Sequence, residues 1–264
     1  MDGILLVDKP PGKTSHDVVE GIRGERGERR VGHAGTLDPL ATGLLVVGVG
    51  KAVRLLEFLR DLEKTYEFTV ELGVLTETDD AEGSPVGTAP VPSREELERR
   101  AARFVGEIVQ KPPRYAAVKV RGRKLYEYAR EGRAVEVPER RVRVADLTLL
   151  AYDPPRARFR VRGSKGLYVR SLARDLGGHV VELRRTAVGP FRVEDAGPEL
   201  LPPDTAVLHL PEVRLSAQEA DRFSAGLPVE REAVGLVRVY GDSRFLGIGE
   251  GTGRLLRPRK VLGL

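Results

Sequence analysis

Apolar and polar positions alternate most cleanly between residues 66 and 72. Tyr66, Phe68, Val70 and Leu72 alternate with Glu67, Thr69 and Glu71, the period-two pattern of a strand with one buried face. Tyr66 opens that buried face, so its ring is expected to point into the interior, and Gly73 closes the strand. A second strand of this kind has Ala157, Phe159 and Val161 between Arg156, Arg158, Arg160 and Arg162. One of its faces is core and the other is a row of arginines, which points to a polyanionic partner. Short apolar runs at residues 4–7 and 44–47 predict buried strands. Ala52, Leu55, Leu56 and Leu59 repeat at i, i+3, i+4, i+7 and predict an amphipathic helix. Val169, Leu172, Ala173 and Leu176 take the same spacing and stop at Gly177. Thr14 or Ser15 caps a short helix carrying Val18, Val19 and Ile22. Ser93 and Glu96 form a capping box for a helix that buries Leu97, Ala101, Phe104 and Val105 and ends at Gly106.

Between these elements, residues 84–92 read as a Pro/Gly-rich loop and residues 200–211 as a Pro-rich linker. Beyond the linker, Ser216 and Glu219 cap a short helix ending at Gly226, and short glycine-rich strands follow.

Composition narrows the class. A chain of 264 residues suits one large domain, or one large and one small. With 41% apolar and 31% charged residues, a globular core is expected. A net charge of +5 leaves the protein cationic at neutral pH and suited to a polyanion. Residues 23–30, RGERGERR, read as a solvated face turned toward RNA. The absence of cysteine excludes disulfides, thiolate metal sites and cysteine nucleophiles. The four histidines lack ligand spacing, so no metal site is expected. The start, MDGILLVDK, does not read as a signal peptide, and the weakly polar run 40–50 is far short of a membrane span. A soluble, cytoplasmic protein is expected.

The densest chemistry lies in residues 31–45, VGHAGTLDPLATGLL. His33, Thr36 and Asp38 fall within six residues on a glycine-punctuated loop. Pro39 biases Asp38 toward extended geometry, so the carboxylate sits in a loop and not in a helix. Loops held by a rigid scaffold carry a disproportionate share of chemistry. Further on, PPRYAAVKVRGRKLYEYAREG interleaves basic residues with Tyr115, Tyr126 and Tyr128, which suits RNA because phosphates attract cations and bases stack on flat rings.

VGHAGTLDPLATGLL resembles the catalytic motif of the TruB family of pseudouridine synthases. Those enzymes isomerise one uridine in the T-loop of tRNA, at tRNA position 55. Four other stretches resemble family motifs in the family's order. GILLVDKPPGKTSHDVV is similar to GxxxLDKPxGxTS, with Val7 in place of leucine. KTYEF runs into LGVLTETDDAEG, with Glu77 where aspartate is commoner. SKGLYVRSLARDLG and VVELRRTAVGPF follow, and the chain between them is several residues shorter than is usual. The resemblance covers roughly residues 1–195.

The resemblance implies a mixed α/β (α+β) catalytic domain around a large, mostly antiparallel sheet, over residues 1–205. An RNA-clasping arm spans about 107–141, and a small PUA-like β-domain spans 212–264. Asp38 is implied as the catalytic carboxylate and Arg170 as the cation that keeps it ionised. Tyr66 would stack on the target uracil, and Tyr168 and Leu183 would close the apolar pocket. Lys9 and Pro10 would buttress the catalytic loop. His33 would fill the space left by the flipped nucleotide, or contact that nucleotide. No cofactor and no metal are implied. The partner is the T-stem-loop of tRNA, with no membrane, no required protein partner and a monomeric state. Three routes stay open for Asp38: attack on ribose C1′, addition to uracil C6, and removal of a ribose proton. Rival readings are a relative directed by guide RNA and partner proteins to ribosomal RNA, an RNA chaperone, and a carboxylate glycosidase. The last lacks an evident second carboxylate.

Overall fold

The computed structural model describes residues 1–116, 119–120, 122–124, 128, 131, 135 and 137–263. Tyr126 of the expected arm lies outside these residues. In chain order, the first half contains β1 (Gly3–Lys9), α1 (Ser15–Arg26), β2 (Val31–His33), β3 (Thr42–Val49), a 3-10 helix (Gly50–Leu59), β4 (Lys64–Leu72), β5 (Val74–Thr76), β6 (Pro85–Thr88), α2 (Arg94–Ala102) and β7 (Gly106–Gln110). The middle continues with β8 (Lys119–Val120), β9 (Arg123–Lys124), β10 (Arg140–Asp153), β11 (Arg156–Gly163), α3 (Val169–Leu176), β12 (Gly178–Val188) and β13 (Phe191–Arg192). Two 3-10 helices (Val193–Asp195 and Pro203–Val207), β14 (Glu212–Leu215), α4 (Ala217–Ser224), β15 (Val229–Gly241) and β16 (Arg244–Val261) complete it.

One sheet dominates, in the order β1-β3-β12-β4-β11-β10-β7, with β2 beside β3 and β13 beside β12. Its pairings are antiparallel except for a short parallel contact of β3 with β12, where Thr42 and Gly43 meet Arg184 and Arg185. With β1 along one edge of β3, the other edge passes from β12 to β2. The Asp38 loop joins β2 to β3 at that transition. Gly43 has φ +97, and a Cβ there would lie 2.2 Å from the Arg185 carbonyl oxygen. Only glycine lets the two backbones approach this closely.

The alternation in β4 and β11 sets the two faces of the central sheet. Phe68, Val70, Leu72, Ala157, Phe159 and Val161 share a core with α2 and α3, and Leu37 and Ala41 of the Asp38 loop pack into it. The opposite face carries the arginines, but not as free charges. Arg158 and Arg160 both pair with Glu67, Arg162 with Glu63 and Arg156 with Glu71. Glu67 and Glu71 of β4, with Glu63 just before it, lie beside the arginines of β11, so the row read as a polyanion surface is a ladder of ion pairs.

Other expectations change in detail. Residues 50–59 bury Ala52, Leu55, Leu56 and Leu59 as spaced, but in a 3-10 helix. The Ser93 hydroxyl accepts from the Glu96 N–H without the return bond of a full capping box, and α2 stops at Ala102, leaving Val105 exposed. Part of the 84–92 loop is a strand, β6, paired with β5. The stretch read as a linker is packed. Leu201 exchanges backbone hydrogen bonds with Ile4 (2.9 and 2.8 Å). Ala206 and Val207 are fully buried in a core shared by Ile4, Leu6, Tyr240, Phe245 and Ile248. That core spans the large sheet and the C-terminal β-unit, so the prolines bend a wedge and not a tether. The C-terminal sheet, β14-β15-β16, rests on two long strands instead of several short ones. Ser216 and Glu219 do form the capping box of α4. Among the described residues, no helix is long and apolar enough to cross a membrane.

Candidate active site

The Asp38 loop is clamped from below by the N-terminal strand and helix. The Lys9 side chain is fully buried, and its ammonium donates to the carbonyls of Pro10 (3.0 Å), Lys13 (2.5 Å) and Pro39 (3.2 Å). Gly12 N–H also donates to the Pro39 carbonyl, at 2.9 Å. Ser15, at the start of α1, accepts from the Leu37 N–H (2.9 Å) and donates to the Leu37 carbonyl (3.2 Å). The residues on either side of Asp38 are therefore fixed, and the Asp38 carbonyl closes a turn by accepting from Ala41 N–H at 3.1 Å.

Arg170 faces this loop from the first turn of α3. Its Nε lies 3.0 Å from Asp38 Oδ2, an ion pair in which the N–H is not aligned on the oxygen. Nη1 donates to the Thr78 carbonyl (3.0 Å) and meets Asp80 Oδ2 (3.3 Å), and Nη2 donates to the Tyr115 carbonyl (2.9 Å). The Arg170 and Asp80 side chains are 6% and 4% exposed, whereas Asp38 is 38% exposed on its open side. Asp80 is itself held by the Thr78 hydroxyl (2.6 Å) and the Glu82 N–H (3.1 Å). Backbone hydrogen bonds from Ala81 and Val180 pin this turn to the start of β12. A planar fork with five donors can serve two carboxylates and two carbonyls at once, which a lysine cannot.

A cavity of about 450 Å³ opens over the Asp38–Arg170 pair. Tyr66, Leu183, Tyr168 and Leu167 supply its apolar walls. Tyr66 is half-buried: it packs against the core of β4 and β11 and also lines this cavity, on the same strand face as the buried Lys64. Tyr168 is fixed through its backbone: Gln110 donates to its carbonyl (3.0 Å) and accepts from its N–H (2.9 Å). Among the described residues, Arg60, Lys64, Arg140, Lys165, Arg170 and Arg185 line the cavity against a single carboxylate, Asp38. A ring of cations around one acid, with flat side chains between, suits a nucleotide attached to a phosphate backbone.

Burial raises the pKa of Asp38, the Arg170 cation pulls it back, and the Asp80 charge pushes it up again. Burial lowers the pKa of Lys9, with Asp38 opposing the shift. The Lys64 ammonium falls to about 8, first through burial and then through the charge of Arg185. Burial raises the pKa of the Tyr168 phenol. It lowers that of His33, whose Nδ1 is buried without a hydrogen-bond partner among the described residues.

Five of the residues singled out from sequence, Asp38, Arg170, Tyr66, Tyr168 and Leu183, line this one cavity. Lys9 lies beneath the loop, and His33 ends β2 outside the lining. Sequence reasoning did not single out Asp80, Gln110, Lys64 or Arg185, and it named Ser15 only as a possible helix cap, a role that Thr14 takes. Strand alternation could have found two of them, since Lys64 shares a face with Tyr66 and Arg185 with Leu183.

The model of the TruB family pseudouridylate synthase N-terminal domain matches residues 23–169. That of the pseudouridine synthase II TruB C-terminal domain matches residues 211–262. The chain belongs to the TruB family. It is 43% identical to the tRNA pseudouridine synthase B of Aromatoleum aromaticum, over 99% of this chain and 93% of that one. Against that of Aquifex aeolicus it is 41% identical, over 99% and 100%. Against that of Thermobifida fusca it is 48% identical, over 85% and 83%. Among solved structures, a Cbf5-Nop10-Gar1 complex contains a chain 26% identical with a TM-score of 0.75, matching 98% of this chain and 84% of that one. An archaeal box H/ACA Nop10-Cbf5 complex, 24% identical with a TM-score of 0.72 over 98% and 86%, shares the fold. The TruB fold of this chain is thus a mixed α/β unit on a mostly antiparallel sheet, followed by a TruB C-terminal unit.

Proposed function

We propose that the chain converts a uridine of tRNA to pseudouridine, at position 55 of the T-loop. It acts in the cytoplasm as a monomer with no obligatory protein partner and no cofactor. Residues 1–205 are the catalytic domain, with an RNA-clasping arm at about 107–141, and residues 212–264 add RNA-binding surface. The observation that carries this reading is the placement of Asp38, 3.0 Å from Arg170, in a cavity walled by Tyr66, Tyr168 and Leu183 and ringed by cations. The names of the curated relatives, at 40% identity and above, support tRNA as the substrate.

In the reaction the bond between ribose C1′ and uracil N1 breaks, the base turns, and C1′ joins C5. N1 gains a proton and C5 loses one, so no oxidant or hydrolytic water is consumed. The target base must leave its stack to reach Asp38. Asp38 acts as the ionised carboxylate, whether by attack on C1′, addition to C6 or removal of a ribose proton. Arg170 offsets the cost of burying that charge, and Asp80 holds Arg170 in place. Tyr66 stacks on the uracil, while Tyr168 and Leu183 confine the detached base beside the sugar. Lys9 stiffens the loop through Pro39, and His33 fills the space left by the flipped nucleotide or contacts that nucleotide.

The test is incubation with an unmodified tRNA transcript alone, followed by mapping of pseudouridine. One pseudouridine at position 55 is expected without guide RNA or added protein. Activity that needs a guide RNA and partner proteins would favour a Cbf5-like role instead.

A further inference from the structure

Two cations lie on the floor of the cavity, and the one nearby acid that acts on Lys64, Asp61, is paired with Lys165 (2.6 Å). Arg185 sits directly opposite Tyr66 across the β4–β12 pairing, and Lys64 is two residues before Tyr66 on β4. All three side chains therefore share one face of the sheet. Arg185 is 1% exposed and Lys64 8%. Arg185 donates from Nε to the Leu44 carbonyl (2.7 Å) and from Nη2 to the Gly35 carbonyl (3.1 Å). Lys64 donates to the carbonyls of Arg60 and Leu62, both at 2.6 Å. Among the described residues, neither forms an ion pair with a carboxylate. Carbonyl oxygens satisfy donors but do not neutralise charge, and two buried like charges side by side are costly unless an anion joins them. Asp38 is not that anion, because its cationic partners are Arg170 and Lys9. Nη1 of Arg185 makes no hydrogen bond among the described residues and lies directly under Gly35 of the catalytic loop.

We propose that Lys64 and Arg185 form an anion subsite that takes one of the two backbone phosphates flanking the target uridine. The inference rests on the tRNA reading above and deepens it. Phosphate contacts position a nucleic acid and do not read its sequence. A phosphate held here, with the base stacked on Tyr66, fixes the intervening ribose from both ends and presents it to Asp38. Without such a ligand, Arg185 is only a brace for the Gly35 and Leu44 carbonyls, and its charge is incidental.

The deciding experiment uses T-stem-loop RNAs with a neutral methylphosphonate at each flanking linkage in turn. A 2′-O-methyl sugar on the 5′ side prevents cleavage, and matched 2′-O-methyl phosphodiesters serve as controls. Binding is measured at fixed salt to the parent protein, Arg185→Met and Lys64→Met, with folding checked by thermal melting. One neutral linkage is expected to weaken the parent's binding by about tenfold or more, the size of a lost hydrogen bond to a charged group. That linkage should leave the variants' affinity unchanged, because they have already lost the contact. Lys64→Met carries the comparison if Arg185→Met does not fold. Equal losses in parent and variants, or no loss in the parent at either linkage, overturn the subsite. Pseudouridine formation by the parent on the unmodified stem-loop is measured alongside. If it occurs and no linkage matters, the subsite alone fails. If it does not occur, the functional reading fails and takes the subsite with it.

Discussion

Replacing Arg170 by methionine removes the one cation that both Asp38 and Asp80 touch, while keeping similar length and bulk. The Arg170–Asp80 pair is 6% and 4% exposed, so solvent cannot take over the role of the lost charge. Breaking a buried pair from one side costs about 3–5 kcal/mol. The carbonyls of Thr78 and Tyr115 lose their donors as well. The cost must depend on pH. Burial already raises the pKa of Asp38 above the ordinary carboxylate value, with Asp80 adding to the shift. Without Arg170, burial favours the neutral form of Asp38 more strongly, and Asp80 loses its buried cationic partner. A carboxyl whose folded pKa is raised destabilises the fold only where it must ionise. The penalty is therefore absent below the unfolded pKa, grows as pH rises from there to the folded pKa, and is fully present above it. Urea unfolding of parent and Arg170→Met at about pH 5 and about pH 8 should show a difference that is larger at the higher pH. Arg170→Lys, which keeps the charge but loses the fork, should fall between them. A loss under about 1 kcal/mol at the higher pH, or an equal loss at both, would refute the claim that Arg170 neutralises a buried acid pair.

Three further outcomes are expected. Tyr66→Phe should keep most single-turnover activity, while Tyr66→Leu loses the flat face at about 1–3 kcal/mol, or roughly 5- to 150-fold in rate; equal impairment of two normally melting variants would make the hydroxyl a proton carrier. The acid limb of kcat/KM should lie above the value of a free aspartate, because Asp38 must be ionised and burial raises its pKa; a limb at or below that value would contradict this. Arg158→Gln with Arg160→Gln should leave the salt dependence of tRNA binding unchanged, since both arginines are tied to Glu67 on the face away from the cavity, whereas Arg140→Gln, at an exposed cavity cation with no carboxylate partner among the described residues, should lower the slope of log affinity against log salt by about 0.7–0.9 if it meets a phosphate.

What could be read from sequence was what repeats with a short period. The inward face of β4 and β11, the run of α3 and the capping box of α4 follow from spacing alone. The cavity residues came from motif resemblance, because nothing periodic connects Asp38 with Arg170, 132 positions apart by subtraction of their numbers. Contacts that depend on which strand lies beside which were not legible. The arginines of β11 looked free until β4 placed Glu67 and Glu71 across from them. The prolines of 200–211 looked like a tether because the apolar residues between them are short and irregular, yet Ala206 and Val207 fill the core between the two sheets. Asp80 was hidden among several acidic residues of a loop, and only the fold turns its carboxylate onto Arg170.

The central claim is that Asp38 performs the chemistry and is not needed to hold the RNA. The most direct test compares parent and Asp38→Asn for single-turnover pseudouridine formation on an unmodified tRNA transcript, with tRNA affinity measured on the same preparations. The amide keeps shape and hydrogen bonding and removes the charge, and since burial disfavours that charge, the variant should melt no lower than the parent at neutral pH. Affinity within a few-fold of the parent with no detectable pseudouridine is the predicted result. Turnover within about tenfold of the parent would contradict the claim, since it would place less than about 1.4 kcal/mol of the barrier on the carboxylate.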